Sequence, residues 1–252
     1  MSFEKLTKLL HFRGDKIMYF QKGEQMKKVL LLLSVLTCAA FSQSVFLEEG
    51  KSGVLLKGTY ANNFQDAASA SYDSLTGASY SPSLLYSFQG LVDAGLSYSY
   101  TSLGDDDGNY TKLVSGEITV HVTEFLESSP VGFQLGTAFS YGGWGSDPIL
   151  EADLDYRIST LAFTAGLYKV LPYDGFKIVP SYDFTYTLPW WVGEKRDDVM
   201  QQSLGLSAGI DIPPADPAYA STDQFVVGLG AFFDETFKNA GVTVSVGYLR
   251  AF

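Results

Sequence analysis

The chain has 252 residues, 46% of them hydrophobic and 18% charged, with 25 Gly, 16 Tyr, 18 Phe and one Cys. It is too apolar for a disordered protein and too poor in cysteine for a disulfide scaffold. Seventeen Lys and Arg against 28 Asp and Glu give a net charge of −11, which argues against general affinity for nucleic acid or anionic surfaces and against a phosphate-binding role.

Met26-Lys27-Lys28 opens a basic segment, and Val29 to Ala40 follow as an apolar run interrupted by Ser34 and Thr37. This run is well short of the roughly 20 residues a spanning helix requires. Ala40-Phe41-Ser42 supplies small residues for cleavage before Gln43, so residues 26–42 read as a signal peptide and 43–252 as the mature protein. Residues 1–25 match no part of such a signal and read as an upstream extension from a mis-assigned start codon; an extended leader is the alternative. Cys38 follows Val35-Leu36-Thr37, a poor fit to a lipid-attachment box. Without residues 1–42 the chain keeps 10 basic and 25 acidic groups, no cysteine, and His121 as its one histidine. Thiol catalysis and a Cys/His zinc site are thereby excluded from the mature chain.

From Ser52 onward the pattern has period two. In Gly77 to Phe88, Ala78, Tyr80, Pro82, Leu84, Tyr86 and Phe88 share one face while Ser79, Ser81, Ser83 and Ser87 take the other, as successive side chains on a strand must. Val92 to Tyr100, Val114 to Thr123, Phe176 to Tyr186, Ser203 to Ile210 and Val242 to Tyr248 repeat it. The strands so defined are 53–62, 77–88, 91–101, 112–125, 131–142, 157–171, 176–188, 201–212, 225–234 and 241–252. Ten is an even number, with eight or twelve as alternatives; Leu150 to Tyr156 also alternates and is absorbed into a long hairpin. Residues 63–76, 102–111, 143–156 and 189–200 form the longer loops at one end. Short turns at 89–90, 126–130 and 172–175 lie at the other, where 213–224 is unusually long.

Alternation fits either a soluble barrel with an apolar centre or a membrane barrel with an apolar exterior. The polar face decides between them. It consists mostly of Ser, Thr and Gly, suited to a confined lumen, whereas a soluble exterior needs abundant Lys, Glu and Asp. Tyr98, Tyr100, Phe139, Tyr141, Tyr186, Trp190 and Trp191 gather near strand ends, as in an interfacial aromatic girdle. The expected fold is therefore all-β, an antiparallel up-and-down transmembrane β-barrel of about ten strands.

The last segment, Val242-Thr-Val-Ser-Val-Gly-Tyr-Leu-Arg-Ala-Phe252, ends on Phe with Tyr248, Val246, Val244 and Val242 on the same parity. It resembles the terminal signature of Gram-negative outer-membrane β-barrel proteins, and the likeness extends through the alternating strands. Arg250 departs from it, standing where that signature carries a hydrophobic residue. The resemblance implies residence in the cell outer membrane beside lipopolysaccharide, and assembly by the barrel-assembly machinery through Tyr248 and Phe252.

Lys57, Asp93, Glu117, His121, Lys177 and Asp183 are candidate lumen residues, able to bias ion passage in a narrow bore or to plug it as salt bridges. Asp105, Asp106 and Asp107 suggest a loop for loose cation binding, although the alternating ligands and closing Glu of a calcium loop are missing. Gly205-Leu-Ser-Ala-Gly209 matches a nucleophile elbow in letters only, because it lies in mid-strand. An omptin-type surface protease needs an Asp-x-His pair, and no Asp stands at that spacing before His121; a barrel phospholipase needs its serine and histidine at the lipid face. The expectation is a small passive channel or structural surface protein, with no enzyme activity and no cofactor. The alternative is a binding or adhesion module working through loops 143–156 and 189–200.

Overall fold

The computed structural model describes residues 46–47, 50–64, 78–102, 110–122, 130–145, 156–191, 194–195, 198–213, 222–234 and 240–252. The leader, Asp105, Asp106, Asp107, the side chain of Trp191 and most of the long loops lie outside them. Strands run over Gly53–Phe64 (β1), Ala78–Phe88 (β2), Val92–Ser102 (β3), Tyr110–His121 (β4), Gly132–Gly145 (β5), Tyr156–Tyr168 (β6), Leu171–Tyr173 (β7), Phe176–Trp191 (β8), Glu194–Lys195 (β9), Val199–Ile212 (β10), Thr222–Asp234 (β11) and Ala240–Ala251 (β12).

Ten of these strands form the wall. Each pairs antiparallel with its neighbours, and with β1 joined to β12 and β8 to β10 the ten-strand wall closes on itself. At the rim, Ser52 and Phe252 exchange backbone bonds of 3.2 and 2.9 Å that finish the closure. The ten expected segments each correspond to one wall strand. β7 continues β6 in the same register, with a break at Lys169 and Val170. Lys169 donates to the carbonyl of Pro180, but proline has no N–H to return the bond, and the ladder lapses there.

Several strand ends depart from expectation. β4 starts at Tyr110 rather than Lys112 and stops at His121. β8 runs to Trp191 and β10 starts at Val199, so much of the expected 189–200 loop is strand. Pro189, the first residue of that expected loop, pairs with Thr160 inside the wall. Finally, β5 extends to Gly145, taking residues from the expected 143–156 loop.

Carried once around the wall, the successive registers return to β1 twelve residues from the start. For ten strands with normal spacings this stagger sets a tilt of about 40° and a backbone radius of about 10 Å. Long side chains from opposite walls can therefore meet near the axis.

The apolar parity points outward. Leu56, Leu96 and Leu229 are 62%, 64% and 63% exposed, and Leu84, Ile118, Phe139 and Val246 more than half. A continuous apolar band of this kind is stable against hydrocarbon and not against water. Its middle is mainly aliphatic, with Phe163, Tyr182 and Phe184 among it, and its two margins are aromatic. Tyr60, Tyr80, Tyr98, Tyr100, Phe139, Tyr141, Tyr186 and Trp190 mark one margin; Tyr86, Phe88, Tyr173, Phe176, Phe225 and Tyr248 mark the other, which the sequence reading missed. On β2 the eight steps from Tyr80 to Phe88 span about 20 Å at this tilt, close to the hydrocarbon height of an outer-membrane barrel.

Candidate functional site

The inward parity builds the site. Most of these side chains are Ser, Thr and Gly, but near the rim that carries Ser52 and Phe252 the pattern changes. Leu55, Leu85, Val179, Val226 and Leu249 point inward there and join Tyr168 and Ala251 in one buried apolar cluster. Phe46 and Leu47, which precede β1, fold back into the mouth and complete it, 2% and 8% exposed. Two features hold Phe46 in place. Lys177 Nζ donates 2.8 Å to its carbonyl, and its ring lies against Gly209, where a Cβ would stand 2.6 Å from ring carbon Cδ1. The strand-rich wall thus leaves a glycine-floored niche that the amino-terminal segment fills.

Beside and above this cluster lies a tier of buried polar groups. His121 Nε2 pairs with Asp93 Oδ2 at 3.1 Å, and its Nδ1 lies 3.2 Å from the Tyr168 hydroxyl. The Tyr168 ring passes over Gly132, where any Cβ would collide with it, and meets the His121 ring edge-on at 5.6 Å. Gln134 Nε2 donates 3.0 Å to Asp183 Oδ1 across Gly166, whose bare backbone leaves the path open. Lys57 lies within electrostatic reach of both Glu117 and Asp93. Glu117 in turn lies over Gly95, whose added Cβ would stand 2.6 Å from Oε1. All of these groups are buried, His121 completely.

Farther from that rim the contacts are short. Ser79 and Thr101 hydroxyls meet at 2.9 Å, Ser115 and Ser140 at 2.8 Å, and Thr164 and Thr185 at 2.9 Å. Each pair joins adjacent strands. On the β10–β12 side, Ser203, Ser207 and Ser245 remain half-buried, so water reaches the wall there.

Of the six expected lumen residues, Lys57, Asp93, Glu117, His121 and Asp183 all face the interior. Lys177 stands apart from them at the mouth, engaged with the Phe46 carbonyl. The Ser, Thr and Gly of the polar parity give way at the mouth, where the apolar cluster fills the interior. The signal for that cluster was present in the sequence: Leu55, Leu85, Val179, Val226 and Leu249 each put an aliphatic residue on the polar parity. Tyr248 and Phe252 point outward, 42% and 60% exposed. Among the described residues no group of three or more His, Cys, Asp or Glu could hold a metal ion.

A closed antiparallel barrel of ten wall strands, apolar toward its surroundings and polar within, is the architecture of outer-membrane β-barrels. That is the class to which the fold and lumen correspond. No family model matches the chain, and no curated protein matches it in sequence. Among solved structures it resembles the β domain of the Bordetella autotransporter BrkA, at 14% identity over 80% of this chain and 100% of that one, TM-score 0.44. It also resembles an outer membrane channel from Pseudomonas putida F1, at 12% identity over 82% and 97%, TM-score 0.45. A third is the outer membrane protease OmpT from Escherichia coli, at 9% identity over 83% and 98%, TM-score 0.29. Such distant likenesses carry no activity over to this chain; the barrel assignment rests on the strand pairing and the two faces.

Proposed function

We propose that the protein resides in the outer membrane of a Gram-negative cell as a structural barrel closed at rest, with passive permeation only when its amino-terminal segment leaves the mouth. The observation that carries this is the seating of Phe46 and Leu47 in the apolar cluster, beneath buried polar ties along the inner wall. A freely conducting pore needs a continuous wetted path, and an apolar plug interrupts it. The Asp93–His121–Tyr168 chain acts here as a brace, because both ring nitrogens are engaged and no solvent reaches the imidazole. The carboxy-terminal strand supplies the assembly signal through Tyr248 and Phe252.

Planar-bilayer recording tests the closed state. Wild-type protein is expected to give no sustained unitary conductance, whereas Phe46→Asp with Leu47→Asp should give discrete openings, because two carboxylates cannot stay in an apolar niche. Steady wild-type conductance that the double variant leaves unchanged would contradict the plug.

A further inference from the structure

Lys112 of β4 and Arg157 of β6 are both in register with Gly143 of β5. They stand two inter-strand spacings apart, about 10 Å, and Gly143, itself buried, contributes no side chain between them. All three residues fall on the outward parity, beyond Phe139 and Tyr141, at the rim opposite Ser52 and Phe252. This is the level at which lipid headgroups meet the barrel.

The two cations differ in how they are held. Lys112 Nζ lies 5.1 Å from the centroid of the Tyr110 ring, and that ring stacks on Tyr100 at 5.9 Å. The ammonium is thus fixed over an aromatic pair. Arg157 is exposed, its guanidinium available for two parallel hydrogen bonds. Among the described residues neither is paired with a carboxylate. Asp198, also outward at this rim, accepts a hydrogen bond from the Tyr186 hydroxyl.

We propose that Lys112 and Arg157 form a binding site for a phosphate-bearing lipid headgroup of the extracellular leaflet. Arg157 takes one phosphate through its fork, and Lys112 neutralises a second anionic group of the same headgroup. The excess of 25 acidic over 10 basic groups in residues 43–252 governs approach from a distance; within a Debye length of about 8–10 Å the local pair governs contact. A net acidic chain therefore still binds phosphate at this spot. The site rests on the membrane placement proposed above, but is independent of the plug.

The test is native mass spectrometry of the full protein in detergent, offered diphosphorylated lipid A and its dephosphorylated form. Wild type is expected to retain the phosphorylated lipid in at least about five-fold preference. K112Q/R157Q should lose that preference while keeping the heat-modifiable migration of a folded barrel. K169Q, at an exposed lysine near the opposite rim, should behave as wild type. Excess inorganic phosphate should not displace the lipid; displacement would overturn the lipid as ligand. Undiminished preference in K112Q/R157Q would overturn the site. Equal retention of both lipids by wild type would overturn the site alone, and retention of neither would count against the membrane placement as well.

Discussion

The two halves of the lumen are tied in different ways. Toward the rim opposite Ser52 and Phe252, hydroxyl pairs such as Ser115–Ser140 and Thr164–Thr185 join strands that are already neighbours in the sheet. Near the mouth, besides the neighbour pair His121–Asp93, ties skip strands: His121 on β4 reaches Tyr168 on β6 over Gly132, and Gln134 on β5 reaches Asp183 on β8 over Gly166. Lys57 on β1 lies within electrostatic reach of Glu117 on β4, and Lys177 on β8 holds a segment outside the wall. Neighbour pairs add little that the backbone ladder does not already specify. Ties across intervening strands brace the wall against deformation and occupy the bore.

Substitutions near the mouth should therefore cost more than equivalent ones farther up. Phe46→Ala removes a buried ring from a niche with a rigid floor, and a loss of about 3–5 kcal/mol is expected in urea unfolding from liposomes. An effect below about 1 kcal/mol would mean the segment does not stay seated. His121→Ala leaves Asp93 and Tyr168 without a shared partner in a dry site; the expected loss by the same method is about 2–4 kcal/mol. Gly166→Ala pushes a methyl into the line between Gln134 and Asp183 and should cost about 1–3 kcal/mol. Gly58→Ala serves as its control, because a Cβ there meets nothing within 4 Å. In the upper half, Ser115→Ala should cost about 0.5–1.5 kcal/mol. If Ser115→Ala equalled His121→Ala, the distinction between braced and unbraced halves would fail.

The wall was legible in the sequence because period two is imposed by strand geometry itself. Ser79, Ser81, Ser83 and Ser87 against Tyr80, Leu84, Tyr86 and Phe88 fixed both the strand and its facing. The turn after β2 was equally readable in place: Leu91 donates to Phe88 across Gln89 and Gly90, both at positive φ, the geometry of a tight hairpin. The braces were less legible. A Gly at 132 or 166 has the same letter whether it leaves space for a ring, a carboxylate or nothing, and only the register decides. Asp93 and His121 are 28 residues apart, so their pairing follows from the β3–β4 alignment rather than from any motif. Phe46 and Leu47 lie outside the alternating strands, and the matching apolar residues, Leu85 and Val179 among them, looked like lapses in pattern.

The most direct test of lipid outside and a closed interior is a nitroxide scan along β2 in liposomes, from Tyr80 to Phe88, reading oxygen and nickel-chelate accessibility by electron paramagnetic resonance. Tyr80, Leu84, Tyr86 and Phe88 should give high oxygen and low nickel access, while Ser81, Ser83 and Ser87 should be low in both. High nickel access at the serines would mean an open aqueous bore, and the opposite phase of oxygen access would mean that the apolar face does not meet lipid.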